Sequence, residues 1–249
     1  MKILFFLMSC LISSAKLITL NNDNTVILRG PVDENSVSSV ITNLNKLEDN
    51  KINLYINSPG GSVHHGNVLI EEIRGLQASG KQINCIADFA ASMAFIILQS
   101  CSNRYALNSS VLMQHQMSLT LGGPINNVNT YIKYINELSI SLNKMQADRI
   151  GMCVEEFKKK TDNDWWISGY KAKSYNIVDE IINVNCDRSL LKKTYSINVD
   201  FFGSELKITF SKCPLISKPL NTKISNNLTY YMKTSAINEL LQGKKLSYI

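Results

Sequence analysis

Between Val26 and Ile182, short runs rich in β-branched and aromatic residues alternate with runs whose apolar residues recur at helical spacing, and this alternation restricts the chain more than any other feature. Strands separated by helices return to pair in parallel, with the helices packed on the sheet, so the pattern predicts an α/β fold. Strands are expected at Val26–Leu28, Ile52–Asn57, Ile83–Ala87, Arg104–Leu107 and Val111–Gln114. An amphipathic helix presents Val37, Val40, Ile41, Leu44 and Leu47, and a short apolar helix runs from about Ala91 to Leu98. Val128, Tyr131, Ile132, Ile135, Leu138, Leu142 and Met145 fall on one face of a helix expected from Asn127 to Ile150, a stripe suited to core or subunit contact. With 249 residues, of which 45% are apolar, the chain can bury one full core and still carry an appendage.

The handovers from strand to helix carry the chemistry. In Y55-I-N-S-P-G-G-S-V63 a strand breaks into Pro-Gly-Gly before a helix, leaving bare backbone whose N–H groups can face a ligand. In I86-A-D-F-A-A-S-M-A-F-I-I97 a serine sits among small residues at a second such handover, so Ser92 is a candidate nucleophile, although a helix-capping serine has the same local pattern. A serine hydroxyl needs a base, and the chain has three histidines. His115 follows the strand V111-L-M-Q114, whereas His64 and His65 open the helix after the glycine turn. T161-D-N-D-W-W166 supplies two carboxylates, Asp162 and Asp164, beside tryptophans that can exclude water.

The ends of the chain differ from its middle. Lys2, the apolar run Ile3–Ile12 and the small residues Ser13-Ser14-Ala15 predict a secretory signal peptide over residues 1–15. Asn108 and Asn227 begin glycosylation triplets that would be read in that compartment. The net charge is +6, and residues 187–249 hold ten Lys or Arg against four Asp or Glu, so the excess lies wholly in a basic C-terminal extension. Its lysines occur singly or in pairs, which suits a solvated surface better than nucleic-acid binding. A hairpin is expected at Tyr195–Phe202 and Glu205–Phe210 around Gly203-Ser204, and a final helix at Ser235–Gln242. Six cysteines show no C-x-x-C pair and no nearby histidines, so no metal site is expected. In a secreted chain some cysteines would pair, with an odd number left if Cys10 is lost with the signal.

The glycine turn, A-A-S-M, H-Q and D-x-D before aromatics occur in an order that resembles the proteolytic subunit of Clp protease, a serine peptidase family with a crotonase-like fold of repeated β-β-α units and a long handle helix. V26-I-L-R-G-P-V32, L54-Y-I-N-S-P-G-G61, R104-Y-A-L107 and K171-A-K-S-Y-N-I-V-D-E180 extend the resemblance over about Val26 to Ile182. It implies a peptidase domain over 16–186, with Ser92 as nucleophile, His115 as base, Asp164 as orienting acid, and the backbone N–H groups of Gly61 and Met93 as oxyanion donors. It also implies no cofactor beyond ATP used by an AAA-type ATPase partner, stacked homo-oligomeric rings, and peptide or unfolded-protein substrates. The sequence departs from the family in two places: the signal-like run replaces most of the segment with which the family meets its ATPase, and H115-Q-M-S-L-T-L-G-G-P124 is longer than the family's usual handle entry. Ala94 stands where relatives usually have glycine, and the extension after Asp187 has no counterpart. The expected location is the secretory route, onward to a plastid, against a cytoplasmic or mitochondrial alternative. Two other functions fit part of the pattern: a catalytically silent ring subunit, and a membrane-associated signal-peptide peptidase using a Ser-Lys dyad.

Overall fold

The computed structural model describes residues 15–201 and 204–224. All but the last residue of the expected signal, Gly203 of the hairpin turn, Asn227 and the helix expected at Ser235–Gln242 lie outside the described residues. Among those described, a seven-stranded sheet has the path β1 (Leu17–Leu20), β7 (Glu180–Cys186), β5 (Asn103–Gln114), β4 (Gln82–Ala91), β3 (Lys51–Ser58) and β2 (Thr25–Arg29). Every neighbouring pair on this path is parallel, and a short strand, β6 (Trp165–Ser168), joins the end of β5 antiparallel. Five consecutive residues of β3, Ile52 to Ile56, are buried, as a strand covered on both faces requires.

One face carries α1 (Glu34–Lys46), α2 (Val63–Ala78), α3 (Met93–Gln99) and the C-terminal third of α4 (Ile125–Ile150), and these enclose the main core. Helix α1 starts where its sequence can satisfy it: Asp33 accepts from the Ser36 N–H at 2.8 Å and Ser36 Oγ accepts from the Asp33 N–H at 3.0 Å. Helix α4 stops at Gly151, in the left-handed conformation with φ 77°. The apolar stripe of α4 divides along its length: Tyr131 and Ile132 are exposed, Val128, Ile135, Leu138 and Met145 are half-buried, and Leu142 is buried. After it come α5 (Val154–Thr161), β6 and α6 (Gly169–Ala172).

The two strands expected at Arg104–Leu107 and Val111–Gln114 are one continuous β5. The polar N108-S-S110 between them reads as a turn but forms an irregularity in the β4–β5 register, where Ser110 Oγ accepts from the Leu107 N–H at 2.7 Å and donates to the Ala87 carbonyl at 2.6 Å. At the opposite end of this strand Arg104, only 2% exposed, donates to Asp179 Oδ1 through Nη2 at 2.6 Å and Nε at 3.2 Å, and to Gln99 at 2.8 Å. The Arg104 backbone N–H completes the pairing, 2.6 Å from Asp179 Oδ2, so one ion pair, buried on its arginine side, ties β5 to α3 and to the approach of β7.

The other face of the sheet holds a smaller cluster of Leu20, Tyr55, Ile86, Tyr105 and Ile182, closed by Leu190 of α7 (Arg188–Lys192). Beyond α7, β8 (Thr194–Phe201), β9 (Ser204–Ser211) and β10 (Asn221–Ile224) make a three-stranded antiparallel sheet, which includes the expected hairpin pairing. A Cys186–Cys213 disulfide and a hydrogen bond of 2.8 Å from Arg29 to the Pro214 carbonyl fasten this part of the extension to the body. A second disulfide joins Cys85 to Cys101, and Cys153 is free and exposed.

Candidate active site

β4 passes into α3 through a single residue, Ser92, at φ 54° and ψ −121°. A side chain at positive φ is strained, by roughly 1–3 kcal/mol, and persists only where its surroundings impose it. Here the Ser92 N–H donates to the Met113 carbonyl at 2.9 Å, and the Ser92 carbonyl receives the Phe95 N–H at 3.0 Å. The reversal frees the hydroxyl from capping duty: Ser92 stands at the N-cap of α3 yet makes no side-chain cap bond. Its Oγ lies 2.9 Å from His115 Nε2.

His115 is the first residue past the end of β5, with its side chain 30% exposed. The antiparallel register pairs Gln114 with Trp165, so residue 115 falls opposite residue 164 where the chains leave the sheet. His115 Nδ1 is accordingly 3.7 Å from Asp164 Oδ1, longer than a direct hydrogen bond. Gln116 holds the facing loop in place through its N–H to the Thr161 carbonyl at 2.9 Å and its side-chain amide to the Asp162 carbonyl at 3.1 Å. The other histidines stay with α2, where His65 Nδ1 meets Ser62 Oγ at 3.0 Å and His64 packs edge-on against His65.

The glycine turn is split between two tasks. Gly60, at φ 88°, lies so close to the serine turn that a Cβ there would meet the Ala91 carbonyl oxygen at 2.5 Å and the Met93 nitrogen at 2.6 Å. Gly61, at φ 142°, runs beside Val32, and a Cβ there would meet the Val32 oxygen at 2.6 Å. Bonds from Val32 N–H to the Gly60 carbonyl, 2.7 Å, and from Ser62 N–H to the Val32 carbonyl, 2.8 Å, make a parallel bridge, so the N–H of Gly61 itself is turned away from Val32. Met93 is buried beneath the turn.

A family model described as Clp protease matches residues 13–185. The chain belongs to the Clp protease family. Its mainly parallel sheet with flanking helices is the crotonase-like arrangement of these peptidases. Within this Clp protease chain, sequence reading singled out Ser92, His115, Asp164, Gly61 and Met93 but passed over Gly60, Gln114 and Gln116. The double glycine carried the signal for Gly60, since two unhindered residues in a row imply two close approaches. Nothing in V111-L-M-Q-H-Q116 distinguished the glutamines from solvated residues.

The glycine geometry sets an expected result. Gly60→Ala should lower the melting temperature and the reactivity of Ser92 together, because the methyl group would push apart the turn that holds the serine. Gly61→Ala should also lose stability through its contact with Val32, so it does not isolate a backbone donor. Thermal melting and serine labelling on the same preparation check both, and a Gly60→Ala variant with wild-type melting would refute the first.

Proposed function

We propose that this chain is a serine endopeptidase of the Clp proteolytic class. The reading rests chiefly on the 2.9 Å contact between Ser92 Oγ and His115 Nε2, made by a serine held at positive φ. Ser92 Oγ attacks the peptide carbonyl carbon while His115 Nε2 takes its proton, and the developing oxyanion is received by the N–H groups of Gly61 and Met93. His115 then passes the proton to the leaving amine, and a water molecule repeats the sequence on the acyl-enzyme. The chemistry needs no metal or organic cofactor; ATP would enter only through an AAA-type ATPase partner. Asp164 holds the proton on Nδ1 so that Nε2 is the basic nitrogen.

At 3.7 Å and 54% exposed, Asp164 acts through a partly solvated field, so Asp164→Asn should slow turnover by about 10²-fold, less than loss of the base does. Steady-state peptidase assays of the two variants side by side check the order, and equal losses would show that Asp164 closes to a direct hydrogen bond in the working enzyme.

We further propose homo-oligomeric rings stacked through α4, whose apolar stripe is exposed at Tyr131 and Ile132 and half-buried at Val128, Ile135 and Leu138. Entry to the secretory route, and onward to a plastid, is supported by the two disulfides, which form and persist in oxidising compartments. No helix among the described residues is long and apolar enough to cross a membrane.

The test is a fluorophosphonate probe applied to the purified chain, with the adduct mapped by mass spectrometry and particle mass measured by mass photometry. An adduct on Ser92 in multimers is expected. Ring-sized particles without adduct would favour the silent ring subunit, and a Ser92 adduct that survives His115→Ala at full rate would favour the Ser-Lys enzyme. Expression in a eukaryotic secretory system should yield an N-terminus near Lys16, and one still at Met1 would refute the location.

A further inference from the structure

The backbone of His115 is held by a side chain, not by the sheet. β5 ends at Gln114, so the next N–H has no ladder partner, and it donates instead to Gln114 Oε1 at 3.1 Å. That carboxamide is 3% exposed and continues inward: Gln114 Nε2 donates to Gln146 Oε1 on α4. Gln146, 1% exposed, donates from Nε2 to the Leu142 carbonyl at 3.0 Å. The two ends impose one direction on this chain of bonds, because an N–H can only donate and a carbonyl can only accept. Each intermediate side chain must therefore accept at one end and donate at the other, which a primary amide of this length does and a carboxylate or a hydrocarbon does not.

We propose that Gln146 and Gln114 form a buried amide relay that positions His115 for proton transfer with Ser92, so that α4 fixes the place of the base from inside the core. The inference rests on the serine-peptidase reading above. A buried pair of amides is a poor means of adding stability, since two apolar groups of similar shape serve nearly as well. Its gain is directional. It pins the point where β5 leaves the sheet, which sets the reach of the imidazole toward Ser92 on one side and Asp164 on the other. Gln114 and Gln146 touch neither substrate nor the reacting atoms, so they are positioning residues.

The deciding variant is the double substitution Gln114→Leu/Gln146→Leu in the full chain, compared with wild type and with Gln146→Glu, which keeps the shape of the side chain but cannot donate to Leu142. Both are assayed by the saturation kinetics of fluorophosphonate labelling at Ser92, by thermal melting and by hydrogen exchange of the His115 amide. The double variant is expected to melt within a few degrees of wild type, to bind probe with unchanged half-saturation, and to be inactivated at least tenfold more slowly, with loss of protection at the His115 amide. Gln146→Glu should be slowed as well. A double variant that labels at the wild-type rate would overturn the relay, as would a wild-type chain whose His115 amide exchanges freely. A wild-type chain with no Ser92 adduct, or one whose labelling survives His115→Ala unchanged, would instead overturn the peptidase reading on which the relay depends.

Discussion

His115→Ala is expected to slow acylation of Ser92 by about 10⁴- to 10⁶-fold, with melting little changed because the ring is partly exposed and lies at a strand end. The loss should not add to that of Ser92→Ala: members of one proton-transfer unit fail together, so the double variant should be no slower than Ser92→Ala alone. Peptide hydrolysis rates of the three variants and wild type measure this directly. Multiplying losses would show that the two residues act independently and would sink the assignment. The backbone at position 92 adds a second observable. Ser92→Ala retains a side chain at φ 54°, whereas Ser92→Gly relieves the strain, so the glycine variant should be equally inactive but melt higher than the alanine variant.

Asp179→Asn is expected to cause the largest loss of stability of any single polar change. It removes the counter-charge from Arg104, whose guanidinium is 2% exposed and cannot neutralise itself. Breaking a buried pair in this way typically costs about 3–5 kcal/mol, and the low end applies because Asp179 is itself 36% exposed and water can enter where the carboxylate was. For a chain of this size the melting temperature should fall by roughly 6–10 °C. Partial burial of Asp179 would raise its pKa, but the bonds from Arg104 and the nearby Arg149 outweigh it and hold the carboxyl below its ordinary 3.8. The pair's contribution is therefore fully present above pH 3.8 and is lost as pH falls through the depressed folded value. Wild type should lose stability over this acidic window and Asp179→Asn should lose less. Parallel slopes for the two proteins below pH 4 would refute the linkage.

The layering was legible in the sequence because short runs rich in β-branched and aromatic residues, such as Ile52–Asn57, alternate with helical spacing, which is hard to disguise over a span such as Asn127–Ile150. The bulge in β5 was not legible. N108-S-S110 has turn composition, and only the contact of Ser110 with the Ala87 carbonyl on the neighbouring strand tells a kink from a break. At the site, Ser92 and His115 were readable from their local surroundings and a resemblance in order. Their separation was not, since it depends on the pairing of Met113 with Ala91 across two strands. The buried glutamines escaped notice for a related reason: a glutamine in sequence looks solvated until a second one, 32 residues away, is found to meet it.

The segment that the family model matches ends at residue 185, but the folded unit does not. Leu190 lies over Tyr55, Ile86 and Tyr105, and Pro214 receives Arg29, so a protein trimmed to the family boundary would be left with an open aromatic floor on one side of its sheet. Such a product would be sticky, prone to associate through a surface that the complete chain keeps dry. Poor behaviour of a trimmed preparation would therefore reflect the place of the cut and not the merit of the enzyme, and recombinant work is best begun with a chain that runs through Ile224.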